Sequence, residues 1–182
     1  MAYQSVAEIF ETIDETRERL YNRVEGLSPA QEKFRPTPDA WSIAEIVEHL
    51  SIMEKRLSSL MKMMLMKAES AGGEAGEVGQ GFRPFSLDQH IERSLKEKYI
   101  APETVRPSGN LTVGEMLEGL RRSRAALHEL RPKFESMDLS NMTYPHPVFG
   151  PLNLYHWLAF IGIHEDRHLR QIESVLSSPE FA

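Results

Sequence analysis

The chain has 182 residues, 41% of them hydrophobic and 26% charged, which is the composition of one globular domain with a single core and excludes disordered and fibrous classes. Cysteine is absent, so disulfides, thiolate nucleophiles and sulfur-ligated metals are excluded, and any metal must bind to nitrogen or oxygen. The formal net charge of -6 argues against nucleic-acid binding and leaves small molecules or proteins as the expected partners.

The first predicted helix spans residues 5 to 25. Its apolar side chains recur at intervals of three and four, and Ser5 and Glu8 occupy the positions of a capping box. The segment LSPAQEKF repeats this start signal, with Ser28 as the cap and Pro29 at the first helical position. We expect one short helical turn there, followed by a loop at PTPDA.

The second long helix is predicted to begin at Ser42. Ser42 and Glu45 form another capping box, and one apolar stripe runs on to about residue 68. His49 lies in this helix, one turn after Glu45.

A long connection follows and ends near residue 110. Glycines cluster between residues 72 and 81, so we expect a flexible insertion over residues 72–86. One short helix is predicted from Asp88 to Tyr99. A connection of this length is unusual in a compact domain.

Two further long helices complete the predicted set. The third begins at Thr112, with Glu115 three residues later, and its apolar stripe continues to Phe134. The fourth follows the turn-rich segment YPHPVFGPLN and runs from about Leu152 to Leu176. Four long helices without sustained strand alternation predict an all-α fold, a four-helix bundle, over a single domain of residues 1–182.

The fourth helix carries the sequence HEDRH at residues 164–168. His164 and His168 are about 40° apart around the helix and one turn apart along it, so both imidazoles can reach one ion. They continue the apolar stripe between Ile161 and Ile172 and are expected to face the bundle interior, where polar groups need partners. This position disfavours the alternative that they are an ordinary pair of core or surface histidines.

The same five residues match the H-E-x-x-H pattern of zinc proteases, in which Glu165 would be the general base. That class takes its third ligand downstream, but the short segment after His168 lacks the glycine and histidine of the metzincin extension. Glu173 is too close in the helix to be the distant glutamate of the other protease class. The protease interpretation is therefore disfavoured. Glu165 faces away from the line between the two histidines and is interpreted as a solvated charge.

A catalytic metal site usually has three protein ligands and one open position, so a third ligand is expected upstream. His156 is about 12 Å along the helix axis from His164, too far to share an ion, and is expected to cap or pack. Four histidines remain: His90 and His146 lie in the loop connections between the long helices, and His49 and His128 lie within long helices. The positions in the connections give no geometric argument.

Height along the bundle separates the two helical candidates if the chain runs up, down, down and up, with the long connection as the crossover. His49 is then about 10 Å from the top of the bundle and the histidine pair roughly 12 to 18 Å, whereas His128 is about 24 Å down. A plain up-down-up-down order would weaken or reverse this preference. The choice of His49 depends on the crossover.

The start of the sequence and its apolar runs predict a cytoplasmic protein without a membrane span. The opening MAYQSVAEIF lacks the basic start and apolar stretch of a secretory signal. The longest apolar runs, such as residues 154–163, fall short of the roughly 20 residues that cross a bilayer.

Three segments together resemble the DinB/YfiT-like family, the DinB superfamily: WSIAEIVEHL at 41–50, HPVFGPL at 146–152 and HEDRHLRQI at 164–172. The resemblance covers nearly the whole chain; the glycine-rich insertion departs from it. It implies an up-down-down-up four-helix bundle in which His49, His164 and His168 bind a divalent metal, often nickel or zinc. It also implies a homodimer, and family members with assigned roles are transferases or isomerases that use a low-molecular-weight thiol.

Three neutral nitrogen ligands leave a metal ion with open positions, where the pKa of bound water or thiol falls. We therefore expect a thiol S-transferase or hydrolase that acts on a small electrophilic molecule. Glu45 can orient the His49 ring or accept a proton, but the capping role is favoured.

Two alternatives from other functional classes remain. The first is a metal-binding stress-response or interaction protein without turnover, in which the histidines are structural or sensory. The second is a helical interaction module with a methionine-rich partner surface formed by Met61, Met63, Met64 and Met66, although methionine at this spacing more often fills a core.

Overall fold

The computed structural model describes residues 2–70, 81–96 and 101–181. Its helices are α1 (Val6–Val24), α2 (Pro29–Lys33), α3 (Ile43–Ser70), α4 (Asp88–Lys96), α5 (Val113–Glu129), α6 (Arg131–Ser136) and α7 (Leu154–Leu176). Its short strands are β1 (Ala2–Tyr3), β2 (Phe85–Ser86), β3 (Thr143–His146) and β4 (Gly150–Asn153), and a 3₁₀ turn spans Glu103–Val105. The strands form two antiparallel pairs, β1 with β2 and β3 with β4. The four long helices α1, α3, α5 and α7 are the predicted four, so the all-α four-helix bundle is confirmed.

Capping side chains set where the long helices begin. The Ser42 hydroxyl accepts a hydrogen bond from the Glu45 N–H at 3.3 Å, and the Glu45 carboxylate accepts one from the Ser42 N–H at 2.8 Å. Reciprocal boxes also form at Ser28 with Gln31 and at Thr112 with Glu115. Because these bonds satisfy N–H groups that a helix start otherwise leaves free, the local sequence is sufficient to mark the boundaries.

Side-chain contacts give the direction of each helix. Helices α1 and α7 are parallel, because Arg17 contacts Glu165 and the later Arg23 contacts the later Glu173. Helices α3 and α5 are also parallel, as the pairs Ser51–Gly119 and Glu54–Arg124 show. Helices α3 and α7 are antiparallel, as the pairs Trp41–His168 and His49–His164 show. The order is therefore up, down, down, up, and the long connection after α3 crosses the bundle as predicted.

The predicted third helix is divided into α5 and α6. The Leu130 N–H bonds to the Leu127 carbonyl, and Pro132 follows in the first turn of α6. Proline has no N–H to continue the helical ladder, and its ring conflicts with the preceding turn. Phe134 is still 1% exposed, so the apolar stripe reaches the core across the break.

The predicted insertion over residues 72–86 is described only from residue 81 onwards, and residues 72–80 lie outside the described ranges. Within the described part, Phe85–Ser86 pairs with Ala2–Tyr3, which joins the end of the segment to the start of the chain. The short helix predicted from Asp88 to Tyr99 is α4, and residues 97–99 are likewise outside the described ranges.

The segment YPHPVFGPLN forms the β3–β4 hairpin, which the sequence did not predict. Each strand has four residues, and the pairing includes Pro145 opposite Pro151. Strands this short and this rich in proline show no alternation of apolar and polar residues from which a strand could be predicted. The Trp157 ring N–H donates to the Tyr144 carbonyl at 3.1 Å, and this bond holds the hairpin against α7.

A layer of buried charges divides the core into two apolar halves. On α1, for example, Ile13 belongs to one half and Leu20 to the other, with Arg17 between them. One charged residue from each long helix forms this charge layer: Arg17, Glu54, Arg124 and Glu165. The layer lies at mid-height, close to the histidine pair on α7.

The methionine-rich stretch of α3 is only partly core. Met61 and Met64 are buried, whereas Met63 and Met66 are 54% and 56% exposed. Among the described helices, none combines the length and apolarity that crossing a membrane requires.

Candidate metal centre

His49, His164 and His168 lie together between α3 and α7. One ring nitrogen of each lies within 4.8 Å of the others, and the Nε2 atoms of His49 and His164 are 3.3 Å apart. The rings of His49 and His168 are buried, and that of His164 is partly exposed. The structure thus brings together the three histidines selected from the sequence.

Hydrogen bonds at the far side of two rings fix which nitrogen is free. His49 Nδ1 is 2.8 Å from the Val105 carbonyl, and His168 Nδ1 is 3.0 Å from Gln171 Oε1. Since both partners are oxygen acceptors, Nδ1 carries the proton in each ring and Nε2 keeps its lone pair. Such outer hydrogen bonds are typical of metal-binding histidines.

The Val105 carbonyl belongs to a segment that we call the strap, residues 101–111, which lies against α3. The buried Glu48 carboxylate accepts hydrogen bonds from the Ser108 N–H and hydroxyl at 2.9 and 2.7 Å and from the Gly109 N–H at 2.8 Å. Burial opposes ionisation of Glu48, but these bonds outweigh it and lower its pKa. Gly109 has a φ of 72°, which glycine adopts without strain. Glu48 therefore ties the strap to α3 beside His49.

Aromatic side chains flank the three rings. The Trp41 ring centroid is 5.1 Å from that of His49 and 6.3 Å from that of His168, with which it is nearly parallel. Phe160 lies 5.9 Å from His164. These contacts restrict the orientation of each imidazole.

Burial keeps all three histidines neutral at pH 7. Loss of solvation lowers the pKa of His49, lowers that of His164 well below its ordinary value, and lowers that of His168 to about 3. The neighbouring imidazoles lower the pKa of His164 and His168 further. A neutral imidazole is the form that binds a metal.

The separation of the His49 and His164 ring nitrogens fits one divalent ion. Ligand atoms bonded at about 2.0–2.1 Å in a tetrahedral zinc site are roughly 3.3 Å apart, which is the separation of the His49 and His164 Nε2 atoms. Imidazole nitrogens suit zinc, nickel, copper and iron. The donor set therefore fits a divalent metal with one coordination position left for water or substrate.

Glu45 and Glu165, the two glutamates that lie near the histidines in the sequence, have different roles. Glu45 caps α3 and its second oxygen accepts from Arg35 at 2.6 Å, so both oxygens are engaged away from the histidine rings. The expectation that Glu165 is a solvated charge is wrong. It is 1% exposed and bound by Arg17 and Arg124, whose positions far along the chain gave no local signal. It is therefore not placed as the base of an H-E-x-x-H site.

The remaining histidines lie away from the cluster. His128 contacts Asp14, and the ring of His156 packs against Phe85 at 4.4 Å, as expected for a packing residue. His146 Nδ1 accepts the N–H groups of the hairpin turn, and burial lowers its pKa to about 4.

Sequence reasoning missed the partners that orient the ligands. Gln171 follows His168 by three residues and so lies on the same helix face, a signal that could have identified it. The Val105 carbonyl could not be found this way, because a backbone group 56 residues from His49 has no sequence pattern.

Comparison with known proteins found a matching family and a related sequence. The family model for the DinB superfamily matches residues 12–172. The uncharacterised protein YuaE of Bacillus subtilis (strain 168) is 28% identical over 170 residues, which cover 93% of this chain and 98% of YuaE.

Two solved structures are similar in fold. TT2238, described as a four-helix bundle protein, has a TM-score of 0.62 at 20% identity, with 93% of this chain and 99% of that chain covered. YfiT from Bacillus subtilis has a TM-score of 0.62 at 15% identity, with 94% and 85% covered, and is described as a probable metal-dependent hydrolase with an unusual four-helix bundle topology. At these identities the likeness concerns the fold.

Proposed function

The chain belongs to the DinB superfamily, and from this premise we propose that His49, His164 and His168 bind one zinc or nickel ion in an enzyme acting on small electrophilic molecules. The observation that carries the proposal is the convergence of three ring nitrogens, from two rings whose Nδ1–H groups are turned outward to Val105 and Gln171 and from His164. The proposed reaction is thiol S-transfer or hydrolysis, with a low-molecular-weight thiol or water as the nucleophile. The description of YfiT as a probable metal-dependent hydrolase supports the hydrolytic form.

In the proposed reaction, the ion and the residues of the chain make different contributions. A bound ion supplies positive charge that lowers the pKa of a thiol or water and so favours the nucleophilic anion. The chain keeps the three rings neutral, and Trp41 and Phe160 pack against them. Glu45 and Glu165 are engaged elsewhere, so neither is assigned as a general base.

Metal analysis of protein purified without a histidine tag tests the ligand set. We expect one ion per chain in the wild type, none in His49→Ala, and one in the matched control His128→Ala, since His128 pairs with Asp14. Wild-type protein that contains no metal and cannot be loaded with zinc or nickel would overturn the proposal.

Activity assays test the reaction class. The loaded protein is incubated with 1-chloro-2,4-dinitrobenzene and a small thiol for transfer, and with p-nitrophenyl acetate for hydrolysis, with His49→Ala as the blank. Metal-dependent turnover of either substrate supports the enzyme. A stoichiometric metal with all its positions filled by protein ligands would instead favour the binding protein without turnover.

We further propose a cytoplasmic homodimer that contacts neither nucleic acid nor membrane, in keeping with the net charge of -6. Light scattering on a size-exclusion column measures the mass in solution, and a monomeric mass would contradict the dimer.

A further inference from the structure

The charge layer of Arg17, Glu54, Arg124 and Glu165 is a second polar feature of the interior, distinct from the histidines. Each of these four residues is at most 6% exposed. Two guanidinium groups and two carboxylates balance in charge. Buried charges are tolerated only when they are paired and hydrogen-bonded, so the geometry of this group constrains the helices that carry it.

Each arginine bridges both glutamates. Arg17 donates to Glu165 at 2.5 Å and also to Glu54. Arg124 donates to Glu54 at 3.2 Å and to Glu165 at 3.2 Å. The four side chains thus form a closed ring with one member from each long helix.

Backbone contacts fix the two arginines themselves. Arg17 donates to the Leu120 carbonyl at 3.1 Å, and Arg124 donates to the Ile13 carbonyl at 2.6 Å. Each arginine is therefore anchored to the helix that carries the other. Because these bonds join α1 to α5, the two arginines bind the two carboxylates from fixed positions.

The two glutamates stand beside the metal-binding histidines in sequence and in space. Glu165 directly follows His164 on α7, and Glu54 is about 7.5 Å along α3 from His49 at 1.5 Å per residue. A cavity of about 10 Å³ is lined by His164 together with Arg17, Glu54 and Glu165, with room for about one water molecule. The charge layer is therefore the immediate neighbour of the histidine cluster.

We propose that Arg17, Glu54, Arg124 and Glu165 are positioning residues that hold α3 and α7 at the separation at which His49, His164 and His168 share one ion. The inference rests on the proposed function. His49 and His164 meet across α3 and α7 through one contact between neutral ring nitrogens, 3.3 Å apart, and such a contact is weaker than hydrogen bonds between charged groups. The shared guanidinium groups supply the stronger link, and the site is formed before the ion arrives.

Zinc affinity of two charge-layer variants tests the inference. Glu54→Gln keeps the size of the side chain and removes its charge, whereas Arg124→Lys keeps the charge and removes the fork that bridges two carboxylates. Affinity is measured by competition with a chromophoric chelator, well below the melting temperature of each variant. We expect both variants to bind zinc at least tenfold more weakly, and the visible spectrum of bound Co²⁺ to change because the ligand separation changes.

Two controls separate positioning from stability. Asp14→Asn removes a charge that contacts Arg124 at the edge of the layer but belongs to neither bridge, and should leave zinc affinity unchanged. Ile9→Ala removes a fully buried side chain in one apolar half of the core, and should lower the melting temperature without weakening zinc binding.

Three outcomes contradict the inference. Zinc affinity of Glu54→Gln and Arg124→Lys within twofold of the wild type would overturn it while leaving the proposed function intact. Equal weakening in Ile9→Ala would also overturn it, because stability alone would then explain the loss. Wild-type protein that binds neither zinc, nickel nor cobalt would overturn the proposed function and the inference together.

Discussion

A single histidine side chain binds a metal well only if the correct nitrogen presents its lone pair. The geometry of His168 meets this requirement, because its Nδ1 faces Gln171 Oε1 and its Nε2 is left free for the proposed ion. The two residues are three apart on α7, so one helical turn supplies both the ligand and its orienting partner. His49 takes its orienting oxygen from the strap, through the Val105 carbonyl.

Gln171→Leu should weaken zinc binding by about ten- to a hundredfold. The His168 ring would lose its acceptor and could turn or exchange tautomers, so that Nε2 would no longer face the ion. Chelator competition measures the affinity. Arg170→Gln, a change at the neighbouring exposed position, is the control, and an affinity in Gln171→Leu equal to that of the control would show that Gln171 does not orient the ring.

At the scale of secondary-structure elements, the strap converts the crossover connection into part of the site. Glu48 holds Ser108 and Gly109, Arg56 donates to the Thr104 carbonyl at 2.6 Å, and between them Val105 reaches His49. A long connection is usually the least ordered part of a bundle. Here the strap is fastened to α3 on both sides of the contact with His49.

Glu48→Gln should release the strap. The amide has one NH₂ group where the carboxylate had an acceptor, so at least one bond to Ser108 or Gly109 is lost, at a cost of about 1–3 kcal/mol. Urea denaturation measures the free energy of unfolding, and hydrogen exchange of residues 101–111 should become faster. Glu69→Gln, which removes an exposed ion pair with Lys133, is the control. Unchanged exchange in the strap would contradict the prediction.

At the scale of the whole molecule, burial of neutral histidines links stability to pH. His168 has a pKa of about 3 in the folded protein against 6.5 in the unfolded chain. Below pH 6.5 the unfolded chain binds a proton that the folded chain does not. The free energy of unfolding of the metal-free protein should therefore fall as the pH falls from 6.5 towards 3, by at most about 1.4 kcal/mol per pH unit for one histidine.

Urea denaturation of metal-free protein between about pH 7 and pH 4 measures this dependence. In His168→Gln the free energy of unfolding should fall less steeply with pH, because the variant lacks the histidine that is neutral in the folded protein and protonated in the unfolded chain. Burial also raises the pKa of Glu165, which acts in the opposite direction, so the difference between wild type and variant is the relevant quantity. Parallel profiles would contradict the assignment to His168.

The sequence by itself determined the four long helices and two of the three proposed ligands. Helix starts follow from short-range capping pairs such as Ser42 with Glu45, and His164 and His168 from a spacing of one helical turn, so local chemistry was enough. His49 could be preferred over His128 once the up-down-down-up order was assumed, because axial rise converts residue number into height.

Only the tertiary structure decided the rest. Glu165 was misjudged because its partners on α1 and α5 are 148 and 41 residues away, and periodicity within α7 carries no information about them. The hydrogen bond from His49 to Val105 likewise joins positions 56 residues apart. Side-chain pairing across the bundle depends on how the four helices come together, so the charge layer and the strap became visible only in the folded chain.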